Sequence, residues 1–234
     1  MFFAAATFLI LSGIASLSYQ VIWVRLLGLS MGSTSASIST VLAAFFLGMA
    51  AGSYLAERIT RNRINNLNAY IVLELLIGIS GLALLPILLH VDNIMAWLPV
   101  FGSSLSLKFL LATALLIIPT MCMGATFPVM ASIMIRHQHD IGLRLSQLYS
   151  INTAGAVLGA ALSGFVFIPN WGLDGAVYIA VFLILLIVVL AYAANSRYTL
   201  PPVEITQEAT AHPLAKESAA STGVRVRALV VLFV

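Results

Sequence analysis

The sequence predicts an all-α polytopic membrane bundle of six transmembrane helices. Three observations carry this. The 234 residues are 61% hydrophobic and only 8% charged, where a soluble domain carries about 25% charged residues. Six apolar stretches recur along the chain, at 3–24, 35–56, 69–90, 109–134, 146–168 and 175–194. Each is about 20 residues or longer, enough for a helix rising about 1.5 Å per residue to cross a hydrocarbon core of about 30 Å. Finally, nearly all the positive charge between them falls on alternate connections. A β-barrel would instead show period-2 alternation over short strands.

Each stretch carries its own signals. Helix 1 has no basic residue before Arg25, and its apolar run exceeds that of a cleaved signal, so it is expected to be retained. Tyr19, Gln20 and Trp23 lie on one of its faces at three- and four-residue spacing. Arg25, near the outer end, reads either as an interfacial arginine that snorkels or as an anion contact in a cavity. In helix 2, Ala44, Gly48 and Gly52 form a small-residue stripe that lets a neighbouring backbone approach. Glu74, about one turn into helix 3, reads as a loop clamp for Arg58, Arg61 or Arg63; the functional alternative is a proton or cation site.

Helix 4 holds Pro119, Gly124 and Pro128, which predict a bend or break, since each proline removes a backbone donor. A break is tolerated in lipid only where protein or a cavity meets the freed carbonyls, so helix 4 points to a cavity. Met123, Met130 and Met134 share one face near Cys122, the single cysteine; methionine here reads as a gap-filler and not as a metal ligand. Helix 5 carries a second small-residue stripe, Asn152, Gly155 and Gly159. Asn152 and Thr153 lie about 12 Å into it, where polar groups need partners: either interhelical hydrogen bonds or a solute. The matched stripes of helices 2 and 5 hint at a 3+3 inverted repeat. His137 and His139 in the preceding connection share no helix face and read as solvated.

Topology follows from the basic residues. Arg58, Arg61 and Arg63 follow helix 2, Arg136 and Arg144 follow helix 4, and Arg197, Lys216, Arg225 and Arg227 follow helix 6. The positive-inside rule then places both termini in the cytoplasm. A net charge of +3 and a pI near 9.2 are accounted for by these orienting residues and imply no nucleic-acid partner. The predicted membrane domain is 1–195. The stretch 196–227, with Pro201, Pro202, Glu204 and Glu208, reads as a polar cytosolic linker. The apolar 228–234 reads as the start of a seventh helix, or else as a short tail resting on the membrane. No nucleotide loop, catalytic triad or metal-spaced cluster occurs, so no cofactor, metal or catalytic residue is expected.

Two sets of residues resemble known families. The segment SYLAERITRNR, with Glu57, Arg58, Arg61 and Arg63, resembles the cytosolic loop motif of the major facilitator superfamily, with Ser53 and Thr60 where glycine is usual. Three segments together, SGIASLSYQVIWVR (Ser12 to Arg25), PTMCMGATFP (Pro119 to Pro128) and YSINTAGAVLG (Tyr149 to Gly159), resemble the membrane half of the spermidine synthase-like membrane proteins, over nearly all of residues 1–195. In that family Gln20 is commonly Glu, so an acid is missing here. The resemblance implies one half of a facilitator fold in a bacterial inner membrane, with Gln20 and Asn152 at mid-membrane and a second set of helices or a second copy as partner. It also implies a transporter-like role for a small polar or charged solute, with polyamines suggested only by the family. The rival expectations are a membrane anchor for a cytosolic spermidine synthase-like domain, and a fragment of a longer protein. Residues 196–234 supply no aminopropyltransferase site, so this chain is not expected to be an enzyme.

Overall fold

The computed structural model describes residues 2–31, 35–61, 66–90, 105–135 and 141–197. Arg63, Arg136, His137, His139 and the segment 198–234, with most of the expected linker and all of the expected seventh helix, lie outside the described residues. The described chain is all-helical: α1 (Phe2–Met31), α2 (Ser35–Arg61), α3 (Asn66–Leu89), α4 (Leu105–Ile135), α5 (Ile141–Leu162), a π-helical turn (Ser163–Phe167) and α6 (Ile168–Arg197). Most helices outrun the apolar stretches, because a helix continues past the hydrocarbon as long as its backbone hydrogen bonds do. As a result Arg25 lies within α1, and Glu57, Arg58 and Arg61 lie on the last turns of α2 instead of in a loop.

Among the described residues, five helical stretches are long and apolar enough to cross a membrane: Phe2–Leu29, Ile38–Arg58, Leu67–Leu89, Leu110–Met134 and Gly142–Asn195. The count is five, where the sequence predicts six, because the last stretch covers 54 residues. There α5 continues through the π turn into α6, and the regular backbone is interrupted at Gly172, with φ +71° and ψ −174°. Large apolar side chains point outward from these helices, among them Phe46, Phe165 (82% exposed), Phe182 and Val189. Such a surface suits a lipid bilayer, the environment an integral membrane protein requires.

The core falls into two clusters stacked along the bundle. One joins the start of α1 (Ala5, Leu9), the end of α2 (Ala56), the start of α3 (Leu67, Tyr70, Leu73), the end of α4 (Val129, Ile133), the start of α5 (Leu148) and the end of α6 (Ile187, Ala191). The other joins the opposite ends of α1, α2, α3, α4 and α6. Successive helices therefore run up and down. Asn195 near the end of α6 donates a 2.7 Å hydrogen bond to Asn68 near the start of α3. The Arg144 guanidinium lies 4.7 Å from the centroid of the Phe2 ring, which seats the start of α5 beside the start of α1.

The most extensive packing pairs α2 with α4 and α1 with α5; then come α3 with α4, α3 with α6 and α1 with α6. Exchanging α1 with α4, α2 with α5 and α3 with α6 maps these five partnerships onto themselves. Both leading pairs rest on glycine. A Cβ on Gly159 would stand 2.7 Å from Ile14 Cα, and one on Gly155 2.9 Å from Ile10 Cα. On the α2–α4 side, a Cβ on Gly52 would stand 2.9 Å from Met121 Cα, and one on Gly124 2.5 Å from Met49 Cα. The missing side chains let dispersion act backbone to backbone, which in lipid stands in for the absent hydrophobic drive.

Candidate functional site

α4 runs unbroken through both Pro119 and Pro128, although the sequence suggests a bend or break. Pro128 has no N–H to give the carbonyl four residues earlier, that of Gly124. Ser53 of α2 fills the vacancy: its hydroxyl donates to the Gly124 carbonyl at 3.0 Å. The freed acceptor is thus satisfied from the neighbouring helix, and α4 has no need to open there.

Beside this bond lies a cavity of about 110 Å³ between α1, α2, α4 and α5. Its polar lining comes from Ser12 and Ser16 of α1, Ser53 of α2, Thr126 of α4, and Tyr149 and Asn152 of α5, with Phe45, Met49, Met123 and Phe127 among its apolar walls. The Tyr149 and Phe127 rings meet edge to face, 5.8 Å between centroids. Thr126 donates to the Met123 carbonyl at 2.7 Å. Among the described residues, none of the lining side chains is charged. The volume suits a few waters or a solute of a few heavy atoms, held by hydroxyl and amide groups against aromatic faces.

Comparison with protein-family models, curated proteins and solved structures finds no match to this chain. The site therefore stands on its own geometry.

Asn152 lines the cavity, while Thr153 is exposed on the outer side of α5. Tyr19 and Trp23 are fully buried and stack on each other at 5.3 Å. They form core between α1 and its neighbours and are not part of the cavity wall; Gln20 is half-buried beside them. Arg25 is exposed. Arg58 is also exposed, its guanidinium 6.0 Å from the Tyr54 ring centroid. Gly48, Gly52, Gly155 and Gly159 sit in the two helix contacts just described. Met123 and Met130 are buried in the core.

Glu74 is 1% exposed and sits at the junction of the two core clusters, between Leu73 of one and Ile77 of the other. It is eight residues into α3, about 12 Å along the helix, and deeper than the single turn read from the sequence. Its carboxyl group faces the hydroxyls of Ser12 and Tyr70; Arg58 points to solvent, while Arg63 and the Arg61 side chain lie outside the described residues. Its Oε1 and the Tyr70 and Tyr19 hydroxyls are buried without a hydrogen-bond partner among the described residues. The sequence does not single out Ser12, Ser16, Ser53, Thr126 or Tyr149 as site residues. Their one available signal was a hydroxyl in an apolar helix, which local bonding to the preceding turn explains equally well.

Proposed function

We propose that this chain is a transporter-like module of a bacterial inner membrane that admits a small polar solute to the cavity between α1, α2, α4 and α5. The observation that supports it is the lining: six hydroxyl- or amide-bearing residues from four helices converge on one space, within stretches apolar enough to lie in lipid. Polar groups at that depth need partners, and they usually face protein or a water-filled cavity. The uncharged lining suits a neutral or zwitterionic solute better than a polycation, which would call for acids in the wall. Polyamines enter through the family resemblance alone, and the proposed role is not enzymatic.

In this reading the 54-residue stretch is two crossings that turn at Gly172, because its length at about 1.5 Å per residue far exceeds a core of about 30 Å. That makes six crossings arranged as one half of a facilitator fold, and the exchange symmetry of the packing supports a 3+3 inverted repeat. Arg58, Arg144 and Arg197 sit at helix ends gathered on one side of the bundle, which supports cytoplasmic termini. A second membrane half or a second copy would then close the cavity.

Uptake into proteoliposomes tests the proposal, with labelled glycerol, alanine and spermidine as probes. The expected result is glycerol or alanine uptake by the native protein, reduced at least tenfold in Asn152→Leu. A scaffold that only anchors an enzyme would pass none of the three probes, and the variant would change nothing.

A further inference from the structure

Among the described residues Glu74 is an acid without a counter-charge. The groups facing it are Tyr70 on its own helix and Ser12 and Tyr19 on α1. The described side chains of the other helices against α3 bring no cation to it. From α4 the described ionisable side chain that packs against both core clusters is the thiol of Cys122. On α6, Tyr178 and Tyr192 point outward and Asp174 is exposed at the far end. α2 touches α3 only slightly, and its Arg58 is exposed over Tyr54. A carboxylate sealed in such a place is strongly disfavoured unless something neutralises it. A hard metal cation takes about six oxygen ligands or more, and Glu74, Ser12 and Tyr70 supply fewer, since the helical carbonyls around them are engaged in their own ladders. A proton needs only one oxygen, and Oε1 has no hydrogen-bond partner among the described residues.

Ser12 connects this group to the cavity. It lines the cavity and its hydroxyl also faces the Glu74 carboxyl. A proton leaving Glu74 thus passes to cavity water through a single hydroxyl: the carboxyl O–H bond breaks, the Ser12 oxygen accepts that proton, and its own proton goes to the water. We propose that Glu74 is a buried proton-binding site which, through Ser12, couples proton movement to the solute in the cavity. The coupling rests on the transport reading; the proton site does not.

Two measurements keep these apart. Infrared difference spectroscopy of the reconstituted protein reads the carbonyl stretch of a neutral carboxylic acid. The band is expected in the native protein, absent in Glu74→Gln and displaced in Ser12→Ala. A native spectrum without that band, or one unchanged by Glu74→Gln, overturns the site. Should Glu74→Gln fail to fold, Glu74→Asp serves instead, and its band must move for the assignment to stand. Coupling is read with a pH dye inside proteoliposomes during pulses of glycerol or alanine. The expected proton flux follows the solute and falls at least tenfold in Glu74→Gln. Solute entry without proton flux overturns the coupling. A band with no solute entry leaves the site standing and overturns both the coupling and the transport reading.

Discussion

Alanine at Gly52 and Gly159 should loosen the two helix contacts that organise the bundle. A Cβ at Gly159 would stand 2.7 Å from Ile14 Cα and 2.8 Å from its carbonyl carbon; one at Gly52 would stand 2.7 Å from Met121 C and 2.9 Å from its Cα. Carbon atoms pack comfortably at about 3.5–4.0 Å. Each methyl therefore forces the helices apart by about 1 Å, and the clash is with backbone, which no rotamer change relieves. Overpacking of this kind costs about 1–3 kcal/mol. The sites lie in different contacts, so the double variant should lose roughly the sum, about 2–6 kcal/mol. Gly28 is the control, since nothing lies within 4 Å of its added Cβ; there alanine should be neutral or stabilising by up to about 1 kcal/mol through helix propensity. The assay is unfolding in lipid bicelles, followed by tryptophan fluorescence. If Gly52→Ala and Gly159→Ala unfold no more readily than Gly28→Ala, the account of these contacts is wrong.

Other variants probe separate features. Ser53→Ala should cost about 1 kcal/mol by stranding the Gly124 carbonyl, and that cost should vanish in a Pro128→Ala background, where residue 128 regains its N–H; a double-mutant cycle in the same bicelles measures this. Gly172→Ala should cost about 1–3 kcal/mol from backbone strain alone, because its φ of +71° with ψ −174° suits glycine and nothing lies within 4 Å of the added Cβ; equal thermal midpoints for the variant and the native protein would contradict it. Trp23→Ala should cost about 3–5 kcal/mol, as deletion of a large buried ring does, and the same fluorescence titration, read from the remaining tryptophans, would show it.

The class of the protein was legible because lipid imposes a simple rule. Helices must be long and apolar to cross, and composition and run length record that directly. The four-residue glycine spacings were legible for a related reason: a missing side chain repeated on one helix face has few uses besides close approach. Partnerships between helices were harder to read. Nothing local in Gly159 says that Ile14 faces it, and nothing in Pro128 says that Ser53 will supply the missing donor and keep α4 whole. Tyr19 and Trp23 look amphipathic in sequence, yet they stack in the core, since a helix with apolar residues all round gives no period that separates the buried face from the lipid face. Glu74 stood out as an acid in a membrane helix. Its depth depended on where α3 begins, three residues before the apolar run, and two of the groups facing it, Ser12 and Tyr19, come from a helix some sixty residues earlier in the chain, which no local pattern reveals.

Transport requires that this one cavity open to both sides of the membrane, and thiol labelling reads that directly. With Cys122→Ser as background, Ser16→Cys places a single thiol on the cavity wall. Membrane-impermeant thiol reagents are then applied from outside and, in separate vesicles, from within. A transporter is modified from either side, and more slowly when glycerol or alanine fills the cavity. Modification from neither side, or from the same side under every condition, would contradict transport and leave the chain as a scaffold of packed helices.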